Sequence, residues 1–376
     1  MFKQRFALFL TVAILVITTA CGSQSPTTKP SNPTESQSLN ATESNPSSPT
    51  EAAGTTKLAD SIVLTNTGGD WGNCQRTSFA DTFEQKTGVK VIDGPFLDDG
   101  QIRAIVESKV YDTDVVFPSP SLVLDDLGSK YLEPIDYSLV PKDELLPGTF
   151  TNYGVALDLF SWAFGYRTDA GDAPTKWEDF FDNQKFPGKR GLVSWDMSTV
   201  LIGALLADGV APDQLVPLDV ERALAKLDTI KDDIVWFDTG SAGQDLLTSG
   251  EVRFIQLYAN RITSSRDNGD PVDILWDGQI IVADYLGIPK GDPNAATAQQ
   301  LIAHMVSKEI NGKFSYCQPG APSNSLAEVN PEIANDLPTN HLDTRYVISS
   351  SPEIAGYIEQ NMDQMTNSFN DWKSGN

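Results

Sequence analysis

The chain has 376 residues, 51 of them acidic against 27 basic, for a net charge of −24 at neutral pH. That balance excludes nucleic-acid binding, whose affinity rests on cationic contacts to phosphate, and gives a surface able to attract cations. The length exceeds what one simple core holds and suits two.

The first residues set the compartment. Lys3 and Arg5 precede an apolar run from Phe6 to Ala20 that meets Cys21, the layout of a secretory signal peptide. A run of about fifteen residues is shorter than the ~20 a membrane-spanning helix needs. The junction Ile17, Thr18, Thr19, Ala20, Cys21, Gly22 resembles a bacterial lipobox. We therefore expect residues 1–20 to be removed, Cys21 to carry lipid, and the protein to work outside the cytoplasm, anchored to the membrane. Cleavage removes Lys3 and Arg5 and no acid, which leaves 25 basic against 51 acidic residues and a net charge of −26. Residues 21–58 continue in Ser, Thr, Pro, Asn and Gln, with almost nothing to bury, and predict a flexible tether. As a coil it would reach at least ~30 Å.

Beyond the tether, strand and helix patterns alternate. Ser61 to Asn66 reads as a buried strand, Gly68 and Gly69 as a turn, and Asn73 to Lys86 as an amphipathic helix with Phe79 and Phe83 on one face. Gly88 caps that helix and Val89 to Ile92 gives a second strand. The segment DDGQIRAIVESK is a second helix, and Asp114 to Phe117 a third strand. This βαβαβ order implies a parallel sheet flanked by helices. Leu157 to Arg167 reads as a long strand leaving this first unit. A second set follows: a strand at Gly191, helices after Ser198 and over Val220 to Ile230, a strand at Ile234, a helix after Ser241, and a strand over Arg253 to Tyr258. Ile280 to Ile288 carries the chain back, and from Asn294 helices dominate, ending with Ser351 to Lys373.

The expected fold is thus α/β and two-lobed. The first lobe takes residues 59–163 and 287–376 and the second takes 164–286, each a parallel-type sheet flanked by helices. Two crossings make a hinge, and ligands of such sheets lie at the strand ends that face the cleft. Catalytic signatures are absent: the sequence has no S-x-x-K, G-x-S-x-G or H-E-x-x-H. Its two histidines, His304 and His341, fit packed or solvated roles.

Several segments, in this order, resemble the spermidine and putrescine-binding proteins of ABC importers, which have the type II periplasmic-binding-protein fold. They are FEQKTGVKV (Phe83 to Val91), DVVFPS (Asp114 to Ser119), LEPID (Leu132 to Asp136), PTKWEDFFD (Pro174 to Asp182), FPGKRGL (Phe186 to Leu192), LLTSGEV (Leu246 to Val252) and ADYLGIPKGDPN (Ala283 to Asn294). The resemblance implies a receptor with no catalytic activity and no cofactor. It would act as a monomer, capturing a small amine-containing solute in the interlobe cleft for a membrane permease. The rival readings are an exported lipoprotein hydrolase, whose paired carboxylates composition cannot exclude, and a ferric-ion receptor on the same fold, which would use the adjacent tyrosines this chain lacks.

Matched by position, the resemblance implies a ligand set. Asp70 and Trp71 come from the first loop, Ser119 and its neighbour Ser121 follow the third strand, and Trp195, Asp196 and Thr199 come from the second lobe, with Thr199 where the family has glutamate. Asp284 matches the acid that holds a terminal amine. Tyr258 replaces a family Trp, and Arg261 stands where the family has an amine-pairing acid. A guanidinium there repels a second ammonium and grips a carboxylate, so a ligand with an amine at one end and a carboxylate at the other fits as well as a polyamine, unless Asp238 or Asp277 neutralises the arginine. Aromatic faces beside acids suit alkylammonium groups. Cys74, just after the first loop, and Cys317, before the site-proximal loop QPGAPSNS, are expected to form a disulfide, which export permits.

Overall fold

The computed structural model describes residues 57–375. The expected signal peptide, Cys21 and nearly all of the tether lie outside the described residues. Alternating burial of Ile62 and Leu64 sets β1 (Ser61–Thr65). A continuous helical stretch follows as α1 (Gly69–Gln75), a π-helical turn at Arg76–Ala80, and α2 (Asp81–Thr87). Phe79 and Phe83 are fully buried on its inner face, and it ends at Gly88 with a φ of 76°, a left-handed conformation that glycine adopts without a Cβ penalty. β2 (Lys90–Gly94) pairs parallel with β1. Asp98 starts α3 (Asp99–Ser108) with a capping box to Gln101.

The expected third strand at Asp114 to Phe117 is reduced to single bridges, Val115 parallel to Leu64 and Val116 antiparallel to Gly287. Asp114 instead turns its carboxylate back on the backbone N–H of Val63 and the side chain of Asn294. After α4 (Asp125–Tyr131) come the elements of the larger sheet and its covering helices. They are β3 (Val155–Arg167), β4 (Arg190–Val193), α5 (Met197–Ala207), α6 (Val220–Asp228), β5 (Ile234–Phe237), α7 (Gly240–Ser249), β6 (Phe254–Tyr258), α8 (Ala259–Asp267) and β7 (Val272–Leu286). The chain closes with α9 (Ala295–Met305), β8 (Ala321–Pro322), β9 (Tyr346–Ile348) and α10 (Pro352–Ser374). No helix among the described residues is long and apolar enough to cross a membrane.

The larger sheet has the order β5-β4-β6-β3-β7-β9, with β8 on β3. β4 runs parallel to β5 and β6, but β3 is antiparallel to β6 and β7. The expected parallel-type sheet of the second lobe holds for β5, β4 and β6, while antiparallel β3 and β7 make the sheet mixed. β3 and β7, 13 and 15 residues long, each contribute to both cores, β3 through Leu157 and Phe164 and β7 through Leu286 and Ile280.

One core gathers Trp177, Phe180, Phe254 and Leu205 of the second lobe, and another gathers Ile62, Phe79, Phe83 and Leu301 of the first. α10, assigned to the first lobe by chain order, packs instead on the second-lobe core through Ile354, Met365 and Phe369. Its amphipathic pattern requires an apolar surface without specifying which one.

The β3–β7 register carries one further feature. Ala156 pairs with Tyr285, but Asp158 pairs with Asp284. Leu157 is thus an extra residue on β3, a bulge. Bulges re-aim the side chains beyond them. Before it, Ala156 shares the face of the buried Tyr285, whose hydroxyl donates to the carbonyls of Gly148 and Ser350. After it, Asp158, Phe160 and Trp162 lie on the other face with Asp284, Val282 and Ile280.

Candidate functional site

That other face floors a cavity of about 280 Å³ built from both lobes. The shared strands supply Asp158, Phe160 and Asp284. The end of β6 and the start of α8 supply Tyr258, Asn260 and Arg261, while α1 supplies Trp71 and the segment after α9 supplies Phe314, Gln318, Pro319 and Gly320. Aromatic contacts fix the walls. Trp71 meets Phe314 edge-on at 5.3 Å, Phe160 meets Tyr258 at 5.6 Å, and Tyr258 lies 4.0 Å from Trp162. Cys74 and Cys317 are bonded, with Cα atoms 5.7 Å apart, tying the helix that carries Trp71 to the segment that carries Phe314 and Gln318. Gly320 approaches so closely that a Cβ would stand 2.9 Å from Oδ2 of Asp158, so only glycine fits there.

The electrostatics of the cavity are two-ended. At one end Asp158, 4% exposed, faces Asp284, and neither carboxylate meets a donor or a cation among the described residues. Burial pushes Asp158 well above the usual carboxylate range, with the charge of Asp284 adding to it. Burial likewise pushes Asp284 up to about 6. At the other end, Arg261 donates to Oε1 of Gln244 at 3.2 Å and forms no ion pair among the described residues. Neither acid considered as its neutraliser is used so: Asp277 pairs with Arg345 at 2.8 Å, and Asp238 accepts from the Ser194 hydroxyl. The Tyr258 hydroxyl, between the two ends, is pushed up to about 12 by burial and by the nearby charges of Asp196 and Asp284.

Of the residues expected at the site, Trp71, Tyr258, Arg261 and Asp284 converge on this cavity. Ser121, Asp196 and Thr199 line a neighbouring space of about 220 Å³ with Val282 and α10, on the far side of the Phe160–Val282 pair. There the Asp196 carboxylate is taken by the start of α5, accepting from the backbone N–H and the hydroxyl of Thr199 and from the Ser198 hydroxyl. Trp195, half exposed, packs on Trp162 and Phe237 beside that space. Asp70 and Ser119 line none of these spaces. Asp70 is exposed one residue ahead of Trp71, and Ser119 holds Asp99 with its N–H and hydroxyl. Asp158, Phe160 and Phe314 were missed. The available signal was a lone acid inside the apolar stretch LDLFSWAF, where an ionised side chain is costly unless something pairs with it.

Residues 78–339 match the family of bacterial extracellular solute-binding proteins. A gamma-aminobutyric acid-binding protein of Pseudomonas aeruginosa is 31% identical over 300 residues, covering 77% of this chain and 84% of its own. The solved structure of a GABA receptor superposes with a TM-score of 0.73 at 32% identity, covering 83% of this chain and 97% of that one. A binding protein of Agrobacterium tumefaciens R10 in complex with agropinic acid superposes with a TM-score of 0.64 at 27% identity, covering 84% and 98%. These relatives are binding proteins, and the likeness is broader than the polyamine receptors that the sequence motifs resemble. The two lobes, the cavity between them and a match over residues 78–339 place the chain in the bacterial extracellular solute-binding protein family.

Proposed function

We propose that this protein captures a small ω-amino acid, with 4-aminobutyrate the nearest example, and delivers it to the permease of an ABC importer. The observation that carries the reading is Arg261 without an ion pair, facing a cavity whose opposite end holds Asp158 and Asp284. An arginine in a closed cleft calls for an anion, and two carboxylates call for a cation. Trp71, Phe160, Tyr258 and Phe314 line the apolar stretch between, which suits a short methylene chain. The volume lies near the lower end of ligand cavities, roughly 300 Å³ and up, and favours a ligand of few heavy atoms. The names of the relatives at 31% and 32% identity support the same ligand class.

A polyamine is the second reading, favoured by the paired acids, but it would set its second ammonium against Arg261. Residues 59–163 with 287 to about 350 would move as one lobe and 164–286 with α10 as the other, closing on the ligand, while Cys21 would hold the protein at the membrane. A thermal-shift and calorimetry panel of ω-amino acids of three to six carbons, putrescine and spermidine tests the assignment. A ligand at 100 times its Kd adds about 2.7 kcal/mol of stability. Tight binding of putrescine or spermidine with no response to any ω-amino acid would replace this reading by the polyamine one.

A further inference from the structure

Asp158 has no part in the sequence motifs, yet it is among the most enclosed acids in the molecule. It is 4% exposed, and its Oδ1 has no partner. Directly opposed residues on antiparallel strands hold their Cβ atoms about 4.5–5.5 Å apart, and the bulge at Leu157 turns Asp158 toward the cavity that Asp284 lines. We propose that Asp158 and Asp284 act as one amine-binding unit that shares a single proton when empty and releases it to solvent when an ammonium group enters. The inference rests on the ammonium being bound at this end of the cavity, as proposed above.

The surroundings decide the proton count. From β6 and α8 the unit is faced by Tyr258 and Arg261. α1 contributes Trp71, and the segment after α9 contributes Phe314, Gln318 and Gly320, none of which titrates. Among the described residues Arg261 is thus the one cation lining this cavity, and it donates to Gln244. Two carboxylates side by side, one of them enclosed and without donors, cannot both stay ionised in a medium of low dielectric. The upward displacement of both groups by burial agrees with this. Ammonium entry reverses the balance, since its N–H groups donate to both carboxylates. The unit then passes from a charge of −1 with its proton to −2 against the +1 of the ligand, and one proton leaves. No bond other than O–H breaks. Because capture releases a proton, affinity rises with pH until the empty unit loses its proton unaided.

The test is calorimetry of the whole exported chain with 4-aminobutyrate at pH 6 in phosphate and in Tris, whose ionisation enthalpies differ, together with Kd from pH 5 to 7. We expect about half a proton released per ligand at pH 6, rising toward one at pH 5, and a Kd that falls about tenfold from pH 5 to pH 7, as linkage requires for a group titrating near the middle of that range. In Asp158→Asn, near-isosteric with the protonated acid, only Asp284 can still titrate and it no longer faces a second charge, so the release at pH 6 and the change of Kd over the same range should both be smaller than in the wild type. A melting curve checks that the variant is folded, and Asp284→Asn provides the second arm if it is not. Identical enthalpies in both buffers with a pH-independent Kd overturn the shared proton while leaving the ω-amino acid reading intact. If 4-aminobutyrate does not bind, that reading fails. Putrescine then becomes the probe, and its proton count decides the present inference by the same criterion.

Discussion

Replacing Arg261 by alanine separates ligand recognition from structural support. The guanidinium has one hydrogen bond, at 3.2 Å to Gln244, and no ion pair among the described residues, so its loss should cost about 0.5–1.5 kcal/mol of stability. For a chain of this size that lowers Tm by at most a few degrees. A charge-assisted contact to a ligand carboxylate contributes about 1.5–3 kcal/mol, and each 1.4 kcal/mol is tenfold in affinity. Arg261→Ala should therefore raise Kd for 4-aminobutyrate by roughly 10- to 150-fold. n-Butylamine, which keeps the ammonium and chain but lacks the carboxylate, should bind both proteins equally. Isothermal calorimetry with the two ligands, beside melting curves of both proteins, makes the measurement. An unchanged Kd for 4-aminobutyrate, or an equal loss for both ligands with a large fall in Tm, would refute the carboxylate contact and make Arg261 a brace.

The Cys74–Cys317 bond closes a sequence separation of 243 residues, so its removal in a double serine variant should cost up to about 5 kcal/mol by the loop-entropy relation. Equal urea midpoints for the variant and the wild type would contradict that. His304 is buried beside Phe83, with its Nε2 2.9 Å from the Thr82 hydroxyl, and burial, with the charges of Lys86 and Lys313, lowers it from 6.5 to about 4. Its folded value lies below the unfolded one, so the stability it contributes is present above about pH 6.5 and is lost toward pH 4, by about 3 kcal/mol in full. His304→Gln should remove that part of the acid-side slope in urea titrations, and an identical slope would dismiss it. Saturating ligand should contract the particle in small-angle scattering through closure of the lobes about β3 and β7, and an unchanged radius of gyration would exclude a hinge.

Most elements were legible because their apolar periodicity is local. β1, β5 and the long helix α10 follow directly from residue patterns, whereas the pattern left His304 either packed or solvated and α9 buries it. What escaped depends on pairing across the chain. β7 extends back to Val272, but Asp277 and Gly278 interrupt its apolar pattern where the register with β3 slips between Trp162 and Phe164. Asp114 to Phe117 has strand composition, yet its neighbours offer only single bridges. Four cavity residues were readable from motifs, whereas Asp196 looked like a ligand residue because an acid before a helix can serve either a solute or the helix itself, and here Thr199 and Ser198 take it. Asp158 gave no motif at all, since its meaning comes from Asp284, far away in sequence.

The extra residue at Leu157 also makes the cavity sensitive to counting. Along a strand, position alternates between two sides like a parity bit, and the bulge inverts that bit once, between Ala156 and Asp158. Losing a single codon there would restore the parity and send Asp158 toward Tyr285 and the apolar residues around it. Substitutions at 158 and 284 keep the frame and change only the chemistry offered to the solute. Descendants of this receptor that acquire new ligands should therefore differ in the identity of those two residues while conserving the number of residues between Phe150 and Arg167.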